Sequence, residues 1–462
     1  MRKEYLWVPK AERSQGPDHV GLVQLAMPML LEHVLRTTVG LIDVAFLSRV
    51  SDSVVSAVSV ASQYIILCMI FSSAVATGTI VCINQAIGMK NVKRVNRLAT
   101  IAVCANILLG ILFGLMFRFC SGGLLKIMSL EAASLDAAAR YMRIAGGLMV
   151  FQCVEIVLNS LCRSMGHTRA PLMINLTANL INIVGNYIAV FHGAALGIDP
   201  VDGVAFATVL SRLGGMLLAA LISARAGVRI SLKEMVPFPK EDLKLALSIG
   251  IPGGLNNLSY SASQLVTTAI VALTGEVMVA TKVYVSNLVG YIALVGMSFG
   301  QASTIMVGYR IGAGEYREAK EICALVVRIA LLSNMFFSLL LILVRTPLMG
   351  LFTTDPQILA LSGIIIIMDF VVEIGRALNN TVAGALQATG DVKYQLVVNQ
   401  ASGWIISVGL SYVLGVLLHM ELYGVWIAFA LDELTRGLIL LRRWKSDQWM
   451  HGAEVRRKIL AK

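Results

Sequence analysis

The sequence contains few charged residues. Asp, Glu, Lys and Arg make up 14% of the 462 residues, whereas a soluble domain has about 25%. Hydrophobic residues reach 57%, and the mean hydropathy is +0.77. Because so few charges cannot cover a water-exposed surface, the composition predicts a polytopic membrane protein.

Residues and motifs typical of metal sites and enzymes are also scarce. The seven cysteines show no C-x-x-C spacing, and the six histidines show no H-x-x-x-H spacing, so neither a disulfide framework nor a metal site is predicted. The sequence has no phosphate loop and no G-x-S-x-G or H-E-x-x-H motif. It therefore gives no sign of an ATPase or a membrane-embedded enzyme, and no cofactor is expected.

Apolar stretches of about 20 residues predict an all-α membrane protein with twelve transmembrane helices. Residues 1–19 lack the apolar core of a signal peptide and are expected to form a cytoplasmic tail. The predicted spans are 20–48, 54–84, 98–119, 139–162, 170–192, 203–224, 245–270, 279–307, 323–346, 357–386, 396–418 and 423–441.

The distribution of basic residues predicts the orientation. Both tails and the even-numbered loops hold 26 of the 38 Lys and Arg residues, whereas the odd-numbered loops hold six. By the positive-inside rule, both termini should be cytoplasmic. The net charge of +11 is thus mainly a topology signal, and no nucleic-acid partner is expected.

The two halves of the chain resemble each other at a fixed offset of 224 residues. Six spans separate the copies, an even number, so the halves should be parallel repeats related by an axis along the membrane normal. The predicted units are an N-lobe (20–224), a cytoplasmic loop (225–244), a C-lobe (245–441) and a cytoplasmic tail (442–462). The matching pairs are Pro28 and Pro252, Gly88 and Gly312, Gly166 and Gly390, Asn175 and Asn399, and Gly185 and Gly409.

Two of the ten prolines, Pro28 and Pro252, lie deep within predicted spans, and they are repeat partners. Proline removes one helical hydrogen bond and favours a bend. Each proline is therefore interpreted either as a static kink or as a hinge that bends during transport.

Spans 1 and 10 each carry two acids and one arginine on one helical face. Glu32, Arg36 and Asp43 lie at i, i+4 and i+11 of span 1. Asp369, Glu373 and Arg376 lie at i, i+4 and i+7 of span 10, at the end of the apolar run 358–367. Charges within a bilayer are costly and usually serve a function or pair with one another.

One interpretation of these charges is structural, with Glu32 paired to Arg36 and Glu373 paired to Arg376. Asp43 and Asp369 then remain uncompensated, and an uncompensated carboxylate takes up a proton or binds a cation. Neither acid obeys the repeat, because Asp43 aligns with Thr267 and Asp369 aligns with Ala145. This asymmetry favours a function in ion coupling.

Other polar residues within the spans add candidates for a cavity. Span 5 carries an asparagine stripe whose amides either bridge helices or line a wet cavity. Glu155 in span 4 is a further cavity candidate, and the "DELTRG" segment of span 12 is interpreted as a structural or gating pair. The stripe consists of Asn175, Asn179, Asn182 and Asn186.

Several motifs resemble the multidrug and toxic compound extrusion (MATE) family. They are "VGLIDVAFLSRV" after Pro28, "QAIG" after span 2, "RSMGHTRAPLMINLTANLINIVGNY" and "GALQATGDVKYQL". The segments "EIGRALNN", "ATGDVKY" and "DELTRG" further resemble a bacterial branch. The resemblance covers nearly the whole chain, including its division into six and six spans.

The resemblance implies a monomeric antiporter in the bacterial cytoplasmic membrane. It would export amphipathic, often cationic compounds by alternating access between two lobes, coupled to H⁺ or Na⁺. In it, Asp43 corresponds to the family's span-1 acid, Asn182 and Asn186 to its span-5 polar pair, and Asp369 to its span-10 acid. Some members have an aspartate at the position of Asn186, and others have a span-7 glutamate that this sequence lacks.

The resulting prediction is a central cavity between the lobes. Ion coupling is assigned to Asp43, Asp369, Glu373, Asn182 and Asn186, with no metal other than a possible Na⁺. An alternative is a flippase for lipid-linked precursors, which would need a cation-rich cavity for phosphates. The predicted cavity residues are Glu32, Arg36, Glu155, Asn179, Asn256, Tyr260 and Arg376.

Overall fold

The structure, a computed structural model, describes residues 21–126, 132–193, 195, 197–236 and 238–461. For residues 39–45, 52–53, 132–133 and 461 it describes the backbone alone. Over these ranges every regular element is helical, and no strand occurs. The predicted all-α class is therefore confirmed.

Six helices form the first half of the chain. The fourth, α4, is broken: a short helix passes through a π-helical turn into a second helix, and the two segments are bent by 49°. The helices are α1 (Leu22–Leu47), α2 (Asp52–Gly88), α3 (Val92–Lys126), α4 (Ala132–Tyr141, Met142–Gly146 and Val150–Ser164), α5 (Arg169–His192) and α6 (Pro200–Arg225).

The second half repeats this arrangement and adds one helix. Its fifth member, α11, is also irregular and continues through two π-helical segments. The helices are α7 (Lys240–Ala272), α8 (Glu276–Ala313), α9 (Tyr316–Met349), α10 (Pro356–Thr389), α11 (Val392–Ala401, Ser402–Leu410 and Val413–Leu417), α12 (Glu421–Lys445) and α13 (Gln448–Ala461).

Length and hydropathy identify most of these helices as membrane spans. Eight pass the test within the described residues, and the bent α4 makes nine. The helices α1, α7 and α12 do not pass, and they carry many of the polar residues singled out from the sequence, such as Asp432, Glu433 and Arg436 of α12. The fold is thus a twelve-helix membrane bundle in which the least apolar spans are the ones with functional candidates.

The repeat is visible in the backbone. Gly166 follows α4 and Gly390 follows α10, and both adopt the left-handed conformation, with φ of 76° and 78°. Gly390 caps α10, because its N–H donates to carbonyl oxygens of the last turn. Glycine adopts positive φ at little cost, so the same residue ends the fourth helix of each half.

The two lobes meet at one end of the bundle, here called the closed end, where the even-numbered connections lie. Repeat partners Gly88 and Gly312 allow α2 and α8 to cross closely. A Cβ at Gly88 would lie 1.9 Å from the carbonyl oxygen of Tyr309, and a Cβ at Gly312 would lie 2.0 Å from that of Gln85. Gln85 also donates to the carbonyl oxygen of Ala388 at 2.6 Å.

The C-terminal helix α13 packs against this closed end. Arg457 donates to the carbonyl oxygen of Gly312 at 3.0 Å, and Arg456 donates to that of Thr389 at 2.8 Å. On the other lobe, Arg94 of α3 donates to the carbonyl oxygen of Ile459 at 3.3 Å. The sequence predicted only a tail at 442–462, whereas the structure has a helix there that joins both lobes.

The predicted hinges lie within continuous helices. Pro28 falls inside α1 and Pro252 inside α7, and both are buried. Each proline leaves a helical carbonyl without its usual N–H donor, which weakens the helix locally. The structure therefore places a weak point in the first helix of each lobe.

Candidate functional site

The C-lobe contains a buried network of acids and arginines between α10 and α12. Arg376 forms an ion pair with Glu373, one turn earlier on α10, as predicted. Its Nε also lies 3.8 Å from Oε1 of Glu433 on α12. Asn334 donates to Glu373 at 2.8 Å, and Asn379 donates to Glu433 at 2.8 Å. Every carboxylate oxygen of these two acids thus faces a donor, which is how charged groups are stabilised within a membrane.

The second arginine of this network is Arg436. Its Nη2 lies 2.6 Å from Oδ2 of Asp432 and 2.9 Å from Oε1 of Glu433, both on the preceding turn of α12. Ser402, in the π-helical part of α11, donates to Oδ1 of Asp432 at 2.5 Å. The sequence analysis interpreted this segment as a structural or gating pair, and the structure shows that it joins the same network as Arg376.

Asp369 lies at the edge of the network and differs from the other acids. Its side chain is 3% exposed, and Oδ1 accepts a hydrogen bond of 3.0 Å from the indole N–H of Trp426. Among the side chains described, no cation lies within ion-pair distance of it. The prediction that Asp369 remains uncompensated is therefore confirmed.

A cavity of about 210 Å³ lies beside this network, enclosed by α7, α8, α10, α11 and α12. Of the three charged residues of span 10, Arg376 lines it, whereas Asp369 and Glu373 lie behind it and are almost fully buried. Other lining residues are Asn256, Asn257, Tyr260, Met297, Asn379, Asn399, Gln400, Trp404, Asp432, Glu433 and Arg436.

The walls of this cavity are rich in amide and hydroxyl groups. Asn399 donates to Asn256 at 3.0 Å, and the indole of Trp404 donates to Ser259 at 2.9 Å. Tyr260 is 45% exposed and lies on the face of α7 nearest the acids. The two predicted cavity residues of span 7, Asn256 and Tyr260, are therefore at the cavity wall.

The N-lobe holds a second polar cluster, in which the predicted pairing of Glu32 with Arg36 is wrong. Glu32 instead accepts from Nη1 of Arg163 on α4, at 2.7 and 3.0 Å, and from Asn175 on α5 at 3.2 Å. A pair within one helix was the simplest expectation, but the end of α4 lies close enough to supply a stronger partner. Arg36 is left exposed to solvent.

Glu155 and Arg212 form the other charged pair of the N-lobe. Nη1 of Arg212 on α6 lies 3.8 Å from Oε2 of Glu155, whose side chain is 4% exposed. Gly215 provides room for this acid, because a Cβ there would lie 2.8 Å from Oε1. Oε1 of Glu155 and Nε of Arg212 are both buried without a hydrogen-bond partner among the described residues.

The asparagine stripe of α5 is divided along its length. Asn182 and Asn186 are buried, and Asn186 donates to Asn182 at 3.1 Å. Asn182 lies 3.5 Å from the hydroxyl of Thr208 on α6, at the limit of a hydrogen bond. Asn179 is partly buried. Here the amides bridge α5 and α6, one of the two predicted roles.

Asp43 lies in α1, within residues 39–45, so its side chain is outside the described part of the structure. Among the residues searched, no group of three or more His, Cys, Asp or Glu side chains is arranged to hold a metal ion. The carboxylate and amide oxygens of the two clusters are the chemistry that suits Na⁺ or a proton.

Sequence reasoning missed the partners that come from distant helices. Arg163, Arg212, Asn334 and Trp426 all contact predicted site residues, but none was singled out. Arg212 had a signal, because it is a charge within a predicted span. Trp426 and Asn334 had none, because their roles depend on how the helices pack.

The two lobes also touch next to these clusters. Nε2 of His33 on α1 lies 3.1 Å from Nε2 of Gln301 on α8. His33 follows Glu32 directly, and Gln301 lies one turn from the cavity residue Met297. The N-lobe cluster and the C-lobe cavity therefore lie on either side of one inter-lobe contact.

A twelve-helix bundle of two similar lobes, with a polar cluster in each beside their contact, is the architecture of a membrane transporter. The MatE family model matches residues 28–188 and 252–413. The chain therefore belongs to the MATE family of transporters. The two matches begin 224 residues apart, which confirms the internal repeat.

Curated relatives support this assignment. The chain is 32% identical over 449 residues to "Uncharacterized transporter YisQ" of Bacillus subtilis (strain 168), covering 97% of this chain and 99% of that protein. It is 28% identical over 446 residues to "Probable multidrug resistance protein NorM" of Thermotoga maritima, covering 95% and 94%. The bacterial relatives identify a bacterial multi-pass membrane protein of a multidrug efflux family.

Solved structures share the fold. A MATE protein in a bent conformation superimposes with a TM-score of 0.85 at 19% identity, covering 96% of both chains. An outward-facing multidrug resistance MATE transporter of the MOP superfamily superimposes with a TM-score of 0.83 at 19% identity, covering 98% of this chain and 99% of that one. The predicted two-lobe fold is confirmed by these similarities.

Proposed function

We propose that this protein is a secondary active multidrug exporter of the bacterial cytoplasmic membrane, which exchanges amphipathic cations for H⁺ or Na⁺. The observation that carries this proposal is the charge balance of the C-lobe. Four acids, Asp369, Glu373, Asp432 and Glu433, share two arginines beside a cavity. When all are ionised, two negative charges are in excess, which attracts a cation.

The same carboxylates provide a means of ion coupling. Asp369 has no cation partner within the described side chains, and Glu373 shares Arg376 with Glu433. A proton or Na⁺ that binds at these acids removes the excess negative charge that holds a cationic compound. Ion entry and substrate release then exclude each other, which is the requirement for exchange.

Asp43 is the proposed coupling acid of the N-lobe, together with Asn182 and Asn186. The buried amides of α5 and α6 form a polar region that suits a bound ion. Binding at Asp43 would change the charge of α1 beyond Pro28, where the helix lacks a hydrogen bond. We therefore assign to Pro28 and Pro252 the role of hinges.

Alternating access follows from how the lobes meet. The basic loops place both termini and the closed end in the cytoplasm. The contacts at Gly88, Gly312 and Asp242 then close the cytoplasmic side, and this conformation is outward-facing. Rocking of the lobes 20–224 and 245–441 about the bilayer midplane would exchange the open side.

The alternative function, a flippase for lipid-linked precursors, needs a cavity dominated by cations. The C-lobe cavity has the opposite charge, because acids outnumber arginines around it. The N-lobe arginines Arg163 and Arg212 already face Glu32 and Glu155. Cation export is therefore the function that the charges favour.

The test is efflux of a fluorescent dye cation from proteoliposomes under an imposed pH gradient or an imposed Na⁺ gradient. Asp369→Asn should abolish gradient-driven efflux. Glu321→Gln is the matched control, because Glu321 is an acid on the outer surface of α9 that pairs with Arg317. Efflux that persists in Asp369→Asn at the rate of the control would exclude Asp369 from coupling, and no dye movement under either gradient would favour the flippase.

A further inference from the structure

The charged cluster of the N-lobe differs in sign from that of the C-lobe. Three arginines, Arg36, Arg163 and Arg212, lie near two acids, Glu32 and Glu155. The described side chains of this cluster therefore carry one positive charge in excess. Asp43 lies seven residues beyond Arg36 on the same helix, about 10 Å along its axis, so it does not neutralise this arginine directly.

Arg36 is the arginine without an acid of its own. Glu32 is engaged by Arg163 at 2.7 Å, and Glu155 faces Arg212 at 3.8 Å. The side chain of Arg36 is exposed, and no ion pair or hydrogen bond joins it to any side chain that the structure describes. It is repelled by the two neighbouring arginines, so an additional anion would be stabilised there.

The position of Arg36 places it opposite the C-lobe cavity. Arg36 lies one turn from His33 on the same side of α1, toward the end of the bundle away from the closed end. Met297, which lines the C-lobe cavity, lies one turn from Gln301 on α8, also away from the closed end. Since His33 and Gln301 touch, Arg36 and the cavity lie at the same level across the inter-lobe contact.

A second donor points to the same site. Nε of Arg212 is buried and has no hydrogen-bond partner among the described residues, although an arginine ordinarily uses its donors when buried. Guanidinium groups bind carboxylates well, because their planar array of donors matches two carboxylate oxygens. A carboxylate at Arg36 would therefore meet a cationic site with donors to spare.

We propose that Arg36, supported by Arg212, is a subsite for the carboxylate of a transported compound. The substrates would then include zwitterionic amphiphiles, with the carboxylate at the N-lobe and the cationic group at the acids of the C-lobe. This inference rests on the proposed export function and goes beyond it, because it adds an anionic group to the substrate and assigns that group a place.

The test compares a rhodamine methyl ester, a cation, with the matching free acid, a zwitterion with the same chromophore. Equilibrium binding of each dye to purified protein is measured by fluorescence polarisation for the unsubstituted protein, Arg36→Gln and Arg36→Lys. Arg317→Gln is the control, because Arg317 is 93% exposed on the far surface of α9. Dye movement in proteoliposomes is measured separately.

We expect Arg36→Gln to weaken binding of the free acid about tenfold or more, as for loss of a charged hydrogen bond. Binding of the methyl ester should change little, and Arg36→Lys should retain part of the affinity for the acid. Equal weakening of both dyes, no effect on either, or no binding of the free acid by the unsubstituted protein would overturn the subsite. Selective binding without dye movement would leave the subsite standing and contradict the export function.

Discussion

The carboxylate of Asp242, on the first turn of α7, forms an ion pair with Arg94, on the first turn of α3. Nε of Arg97 lies 3.2 Å from the other oxygen of the same carboxylate. Asp242 is 2% exposed. A buried acid held by two arginines of the opposite lobe is a strong link, because removing one partner leaves the other charges buried and unpaired.

Asp242→Asn should therefore open the closed end. Loss of a buried charge pair costs about 3 kcal/mol, which is enough to move a balanced two-state equilibrium almost completely. The measurement is the distance between spin labels at Lys93 and Arg317, which are exposed near the closed end of each lobe, with the exposed Cys120 replaced by serine. A distance distribution unchanged from that of the parent protein would show that the pair does not hold the lobes together.

Close backbone contact at the closed end gives a second prediction. Gly312→Ala should separate α2 and α8, because the added methyl group would lie 2.0 Å from a backbone oxygen of α2. Backbone cannot move aside as a flexible side chain can, so the same spin labels should report a longer distance. Gly123→Ala in α3 is the control, because nothing lies within 4 Å of a Cβ there. Similar distances for both variants would contradict the prediction.

The two acids of α10 should differ in their effects on stability. Glu373→Gln removes the main partner of Arg376 and leaves this cation beside Glu433 at 3.8 Å, so the free energy of unfolding in mixed micelles should fall by about 3 kcal/mol. Asp369→Asn keeps an oxygen that can accept from Trp426, so the loss should be about 1 kcal/mol or less. Equal losses in denaturant unfolding would mean that Asp369 is also held by charge pairing.

The C-terminal helix should detach when its aromatic anchor is removed. Trp449 is 1% exposed, stacks on Trp444 with a centroid distance of 4.4 Å, and donates to its carbonyl oxygen at 2.8 Å. Trp449→Ala should destabilise the docking of α13 by about 3 kcal/mol or more. Amide hydrogen exchange over 448–461 should then accelerate by at least tenfold, whereas His451→Ala, at an exposed position of the same helix, should leave it unchanged.

The sequence predicted most of the fold because it carries the signals of a bilayer and of a repeat. Apolar runs indicated the spans, and the offset of 224 residues predicted two lobes. It did not predict α13, because its polar sequence acquires a buried side only by packing against both lobes. Gly88 and Gly312 were recognised as repeat partners, but their contact across the lobes depends on the assembled bundle.

The site was predicted in part for the same reason. The pairing of Glu373 with Arg376 lies within one helix and follows from spacing alone. The pairing of Glu32 with Arg163 joins helices 131 positions apart in sequence, and no periodicity can indicate it. Because Arg163 takes that role, Arg36 becomes available for an anion, which changes the charge of one whole side of the proposed site.

The measurement that tests the central account most directly is ion movement driven by substrate. Proteoliposomes are loaded with a dye cation and an indicator of internal H⁺ or Na⁺, with no ion gradient imposed. If the acids of the C-lobe hold either the dye or the ion, dye efflux should drive H⁺ or Na⁺ inward, and Asp369→Asn should abolish that ion movement. Dye efflux without any ion movement in the unsubstituted protein would contradict exchange at these carboxylates.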